Sequence, residues 1–132
     1  MDNIEKNKKE MLDKKVWAVV GATPNKDKYG YKIWNVLKEH GYIAYPVNPK
    51  YEEIEGEKCY PSVEELPEKV DVIDFVVPPK VTKKIIEQAD KVGIEYLWFQ
   101  PGTFDEEIIE KAEKLNKKIV YYDCVLAELT EK

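Results

Sequence analysis

Short β-branched runs alternate with longer helical stretches along this chain, and no other feature limits its fold as tightly. The first run, VWAVVG over 16–21, is continuously apolar and ends in glycine, the pattern of a strand buried on both faces of a parallel sheet. Residues 29–40 follow with Ile33, Trp34 and Leu37 at helical spacing, and Gly41 is placed to end that helix. His40 falls in its last turn, where a cation suits the helix dipole, and is read as structural. Further strands are expected at 42–47, in a short form at 58–60, and at 71–77, 96–99 and 119–122. Helices are expected at 81–92, with Ile85, Ile86 and Ala89 inward, and at 104–115. Ser62 is placed to cap a turn over 63–66, and 125–129 adds one or two last helical turns.

This order predicts an α/β, Rossmann-like three-layer fold: a mostly parallel sheet of five to six strands with helices on both faces. At 132 residues the chain has the length of one ordinary domain. Residues 1–14 read as a charged arm or helix with Ile4, Met11 and Leu12 on one face, and 15–132 as the domain itself. Trp17, Trp34 and Trp98 are assigned to the core, and one left exposed would mark a homodimer surface.

Charge narrows the ligand classes. A net charge of −5 argues against nucleic acid, whose partners carry a basic face, and it means that local lysines must recruit any anion. No apolar run reaches the roughly 18 residues of a membrane span, and MDNIEKNKKEMLDKK lacks a signal-peptide core. A cytoplasmic protein without a membrane partner is the expectation. The two cysteines make no framework, and a single histidine builds no metal site unaided, so no metal is expected.

In an open α/β sheet, ligands bind outside the carboxyl ends of the strands, where strand order reverses. At those ends this sequence collects Gly21-Ala22-Thr23-Pro24-Asn25, Asn48-Pro49-Lys50, Val77-Pro78-Pro79-Lys80, Gln100-Pro101-Gly102-Thr103 and Asp123-Cys124. Gly21 permits close backbone approach, and amides leading into the helix at Tyr29 and Gly30 can cradle a phosphate, although any strand-to-helix turn favours such residues. Lys26 and Lys28 in the same loop can offset the unfavourable net charge. After the second strand an NAD-binding domain carries an acid for the ribose hydroxyl. Val47, Asn48, Pro49 and Lys50 stand there instead, which favours a phosphorylated ribose, as in NADP or coenzyme A. Alternatively Asn-Pro simply makes a turn and Lys50 is solvated. Pro78-Pro79 reads equally as a helix start or as a rigid wall for an adenine ring.

The runs VVGATPNKDKYG, GYIAYPVNPKYEEIEGEKCYPSVEELPEKVDVIDFVVPP and YLWFQPGTFDEEIIEKAEKLNKKIVYYDC resemble the stand-alone CoA-binding protein family, itself similar to the N-terminal domain of the succinyl-CoA synthetase alpha subunit. The resemblance spans 16–129 and is most specific over 41–61. It implies a CoA-binding Rossmann-like fold in which Gly21, Ala22 and Thr23 meet the phosphates. Asn48, Pro49 and Lys50 would then lie by the ribose 3′-phosphate and adenosine, and Val77, Pro78 and Pro79 would flank the adenine. The pantetheine arm would run toward Gln100 and Gly102. Two departures stand out. Many relatives have Phe-Arg before the proline pair, where this chain has Val76 and Val77. Relatives often end Asp-Arg-Cys with Glu-His beyond, where this chain keeps Cys124 and Glu128 but has Tyr122, Asp123 and Leu129.

Cys124 is the one candidate nucleophile, at a strand-to-helix junction that can stabilise a thiolate and form a mixed disulfide with CoA. Asp123 opposes that, no histidine serves as base, and a small buried hydrophobe is the competing role. No catalytic residue is therefore assigned. Three readings stay open: a protein binding CoA or acyl-CoA as carrier or regulator, an NADP-dependent oxidoreductase or redox sensor, and an interaction protein with a decayed nucleotide site.

Overall fold

A computed structural model of the protein describes residues 2–121 and 123–130. Five parallel strands form the central sheet: β1 (Val16–Val20), β2 (Ile43–Val47), β5 (Val72–Phe75), β6 (Tyr96–Phe99) and β7 (Lys118–Tyr121), in the order β2-β1-β5-β6-β7. Between β2 and β5 the chain makes a small antiparallel hairpin, β3 (Glu53–Ile54) with β4 (Glu57–Lys58), and a single 3-10 turn over Val63–Glu65. The helices are α1 (Asp2–Asp13), α2 (Tyr29–Glu39), α3 (Pro79–Lys91), α4 (Glu106–Lys114) and α5 (Val125–Thr130).

Side chains on a strand alternate between faces, so each strand feeds two cores. Trp17 and Val19 of β1, Val72 of β5 and Trp98 of β6 pack with α1, α2 and α5, around Trp34, Leu37 and Val125. Ala18, Val20, Ile73, Phe75, Leu97 and Phe99 point the other way, to Ile86 of α3 and Ile108 and Ala112 of α4. Both faces are covered, and strands covered on both faces carry continuous apolar runs. All three tryptophans are fully buried, so none marks an exposed dimer surface. Each indole N–H is satisfied by a carbonyl: Trp17 by Lys14 at 2.9 Å, Trp34 by Ala44 at 2.9 Å and Trp98 by Asp123 at 2.8 Å.

The N-terminal segment is a helix with the expected apolar face. Met11 is fully buried, and Ile4 and Leu12 pack on the same core. Asn7 Nδ2 donates to Ile119 O at 3.1 Å, and the Tyr42 hydroxyl donates to Leu12 O at 2.5 Å.

Five local expectations need correction. The helix expected at 104–115 runs over Glu106–Lys114, because Asp105 caps it. The short strand expected at 58–60 is a hairpin turning at Glu55-Gly56, with Tyr60 making a lone parallel bridge to Val47. Two-residue strands carry too few positions for periodicity to reveal them. The strand expected at 71–77 ends at Phe75: Val76 packs on the tryptophan core and Val77 turns to line a cleft. Helix α3 begins at Pro79, two residues early, since proline's fixed φ and missing N–H suit a first helical position. Ile85 is only half-buried and faces that cleft, whereas Thr82, Ile86 and Ala89 make the core face. The expected last residue of β7, Tyr122, lies outside the described residues.

Candidate functional site

Strand β1 lies between β2 and β5, so the chain leaves its carboxyl end in one direction and later returns on the other side. That is the reversal point at which doubly wound sheets bind ligands. The loop there is tightly specified. Gly21 adopts φ +102°, and a Cβ on it would lie 2.3 Å from Val76 O. Gly30, in the first turn of α2, is equally constrained: its Cβ would lie 2.1 Å from Gly21 O. Two glycines thus press α2 onto the end of β1, and Gly30 is buried packing against that turn.

The other edge residues lock onto this turn. Gly21 N donates to Val47 O at 2.9 Å, and Asn48 Nδ2 donates to Ala22 O at 2.9 Å. Asn48 Oδ1 accepts from Lys50 N at 2.9 Å, so Asn-Pro-Lys forms an Asx turn that fixes where Lys50 leaves the backbone. Buried Thr23 accepts from Asn25 N at 3.2 Å and donates its hydroxyl to Tyr51 at 3.3 Å. Beyond it, 24–29 are exposed. Tyr29 is 62% exposed, with Lys32 over its ring, and Lys26 sits 3.7 Å from Glu55 of the hairpin turn.

On the α3 side of this turn lies a cleft of about 440 Å³. Its floor is Val20 and Gly21, one wall is Val47, Asn48, Pro49 and Lys50, and the opposite wall is Val77 and Pro78. Thus the ends of β1, β2 and β5 are brought together as the sequence suggested. Pro79 lies just outside, as the first residue of α3. Sequence reading missed the remaining wall: Pro61, Ser62 and Val63 from the 3-10 turn, and Val81, Lys84, Ile85 and Gln88 from α3. The spacing of those four was the available signal, since 81, 84, 85 and 88 share one helix face.

Gln100 and Gly102 separate. Gly102 is exposed on the turn after β6, while Gln100 is buried beneath it. The Gln100 amide donates to Asp74 Oδ1 at 2.6 Å, and its carbonyl accepts from Val125 N at 3.2 Å, joining β5 to the start of α5. Asp74 is fully buried, between Val19 and Trp98 in the sheet register, and its Oδ2 has no protein partner. Burial pushes its pKa well above the usual carboxylate range, only partly offset by Gln100. Asp74 was not singled out from sequence, where it stood only as one residue of the strand expected at 71–77.

Cys124 is half-buried just before α5. Its neighbour Asp123 is 3.4 Å from Lys8 of α1, and Glu128 is 3.3 Å from the same ammonium. Burial works against the Lys8 charge, but Glu128 and Asp123 outweigh it and raise its pKa. Lys8, 115 positions from Asp123, therefore reduces the negative field beside the thiol without cancelling it, because Glu5 and Glu128 share the same ammonium. Cys59 is buried under the Asn48 loop, donating to Asn48 O at 3.5 Å, and burial pushes its thiol pKa up. Among the described residues no cluster of acids, histidines and cysteines can hold a metal. No described helix is long and apolar enough to cross a membrane.

A doubly wound sheet, a glycine turn at its reversal point and a lysine-flanked apolar cleft define a protein that holds a nucleotide-type cofactor. Comparison with known proteins narrows this: a model of the CoA binding domain matches residues 15–130, and the chain belongs to that family. Coenzyme A is the ligand of the domain class. A hypothetical protein from Pyrococcus horikoshii OT3 superposes with a TM-score of 0.88 at 42% identity, covering 94% of this chain and 87% of that one. A conserved hypothetical protein from Pyrococcus furiosus gives a TM-score of 0.83 at 47% identity, over 86% of this chain and 98% of that one. Acetate–CoA ligase [ADP-forming] I of Archaeoglobus fulgidus is 36% identical over 121 residues, which is 84% of this chain but 18% of the ligase.

Proposed function

We propose that the chain binds coenzyme A or an acyl-CoA across the carboxyl edge of its sheet and does not turn it over, acting as a carrier or regulatory module. The observation that carries this reading is the cleft at the reversal point, apolar within and flanked by Lys50. An adenine ring fits between Val47 and the Val77-Pro78 wall, where rigid apolar surface offers no competing donors. The diphosphate then crosses Gly21, Ala22 and Thr23 toward the start of α2, which has no side-chain cap and no acid within its first turn. The pantetheine arm continues over Gly102 toward Cys124, and Gln100 supports that path from below rather than touching the ligand.

What the site offers chemically supports a binding role. His40 is exposed at the far end of α2, where its ring contacts Val36 O at 2.9 Å, so no imidazole serves the cleft. The aligned segment is 18% of the ligase relative, and likeness of one domain does not carry an activity across. Isothermal titration tests the reading. CoA is expected to bind, NADPH to bind at least tenfold more weakly, and Lys50→Ala to weaken CoA. No heat with CoA, from protein freed of copurified ligand, would overturn it. Acyl-CoA breakdown by the purified chain would overturn the non-catalytic part alone.

A further inference from the structure

We infer that Lys84 is the second cation of a two-sided clamp for the ribose 3′-phosphate, closing on it from α3 while Lys50 holds it from the β2 loop. The inference rests on the CoA reading above and adds the residue that sets selectivity for the phosphorylated ribose.

The case starts with helix α3. Its core face is Thr82, Ile86 and Ala89. A second stripe, Val81, Lys84, Ile85 and Gln88, lines the cleft. These positions follow helical spacing, so they are neighbours on one surface. Val81 is 39% exposed and Ile85 half-buried, so the helix spends apolar side chains on a face that no other helix covers. A face of that kind suits a ligand with an apolar body.

The charge pattern on the face then specifies the rest of the ligand. This protein is net acidic, and its lysines commonly find carboxylates: Lys83 pairs with Glu107 and Lys91 with Glu64, both on α3. Lys84 does not. Glu87, the acid one turn on and within reach, pairs with Lys111 instead, and the residue at i+4 is the neutral Gln88. No carboxylate of the described residues lies within 4.0 Å of the Lys84 or Lys50 ammonium. Two lysines without a carboxylate therefore face one apolar cleft from different elements. Within the same cleft, the Ser62 hydroxyl accepts from Glu64 N at 3.2 Å, which leaves its proton free to donate. An apolar body carrying one compact dianion matches this arrangement, and an adenosine with a phosphate on its ribose is such a group.

Titration of the full chain with CoA and dephospho-CoA, and with adenosine 3′,5′-bisphosphate and its 2′,5′ isomer, tests the assignment. The wild-type protein is expected to prefer CoA to dephospho-CoA by at least tenfold, and the 3′,5′-bisphosphate to its isomer. Lys84→Gln is expected to reduce the first preference about tenfold while leaving dephospho-CoA affinity unchanged. Lys84→Arg is expected to restore most of it, and Lys91→Gln, at the other end of the helix, to leave it intact. Equal loss for both ligands in Lys84→Gln would make the residue structural and overturn the inference. So would an unchanged preference, or tighter binding of the 2′,5′ isomer. Absence of any CoA binding to the wild-type chain would instead bring down the reading beneath it.

Discussion

Helices α3 and α4 are successive, pack on the same face of the sheet and start at the same edge, yet their first turns are built oppositely. Helix α4 is capped by Asp105, whose carboxylate accepts from Ile108 N at 2.9 Å, and it opens with Glu106 and Glu107. Its lysines, Lys111 and Lys114, sit in the last turn. Those acids and lysines complement the helix dipole, with Glu113 the exception in the last turn. Helix α3 starts at Pro78-Pro79 with no side-chain cap, no acid in the first turn, and Lys80 in its place. Lys80 and Lys84 also stand four residues apart, a like-charge spacing that costs roughly 0.2–0.5 kcal/mol in a helix. Helix α2, on the other side of the reversal point, is likewise uncapped and without first-turn acids. The two helices that flank the reversal point leave their positive ends open, and the one that does not is closed by its own carboxylates. Local stability was given up where an anionic ligand can supply the missing charge.

The largest effect should come from the packing that brings α2 to the edge. Gly30→Ala places a methyl against Gly21 O and is expected to cost at least about 2 kcal/mol in denaturant unfolding, with loss of CoA binding. Retained binding in a stable Gly30→Ala protein would show that the close approach of α2 is dispensable. Next in size is Asp74, whose folded-state pKa is raised by burial. The folded protein then holds a proton that the unfolded chain releases above about 3.9, so stability falls as pH rises from there toward the folded pKa. The slope contributed is about 1.4 kcal/mol per pH unit, and Asp74→Asn should flatten it. Unfolding curves measured across pH for both proteins decide this, and matching slopes would mean that Asp74 is ionised in the fold.

Two smaller changes sharpen the contrast between α3 and α4. Asp105→Ala is expected to cost about 1 kcal/mol of stability and to leave CoA affinity unchanged. Lys80→Glu, which gives α3 the kind of first turn α4 has, should raise stability by roughly 0.5 kcal/mol and weaken CoA several-fold. Should Lys80→Glu tighten CoA, or Asp105→Ala weaken it, the division of labour between the two helix starts would be wrong.

Much of the site was legible because backbone chemistry announces it. Turn formers and lysines cluster at strand ends, and Gly21, Asn48, Pro49, Lys50, Val77 and Pro78 do converge on one cleft. What stayed hidden depended on which of two helical stripes faces inward. In α3 both 82, 86, 89 and 81, 84, 85, 88 are consistent with a helix, and only packing against β5 and the 3-10 turn separates core from cleft. Gln100 looked like an edge residue and proved to be a buried strut, since one side chain's depth depends on the strand beside it. Lys8 found Asp123 across almost the whole chain, a pairing no local pattern encodes.

By itself, then, the sequence determined the main strands and helices, their parallel arrangement and the loops at the carboxyl edge of the sheet, because periodicity, proline and glycine act over a few residues. Tertiary structure alone decided which charges meet, which acid is entombed and which helix face stays open. Those outcomes follow from distances between residues far apart in the chain, and electrostatics and burial depend on distance in space.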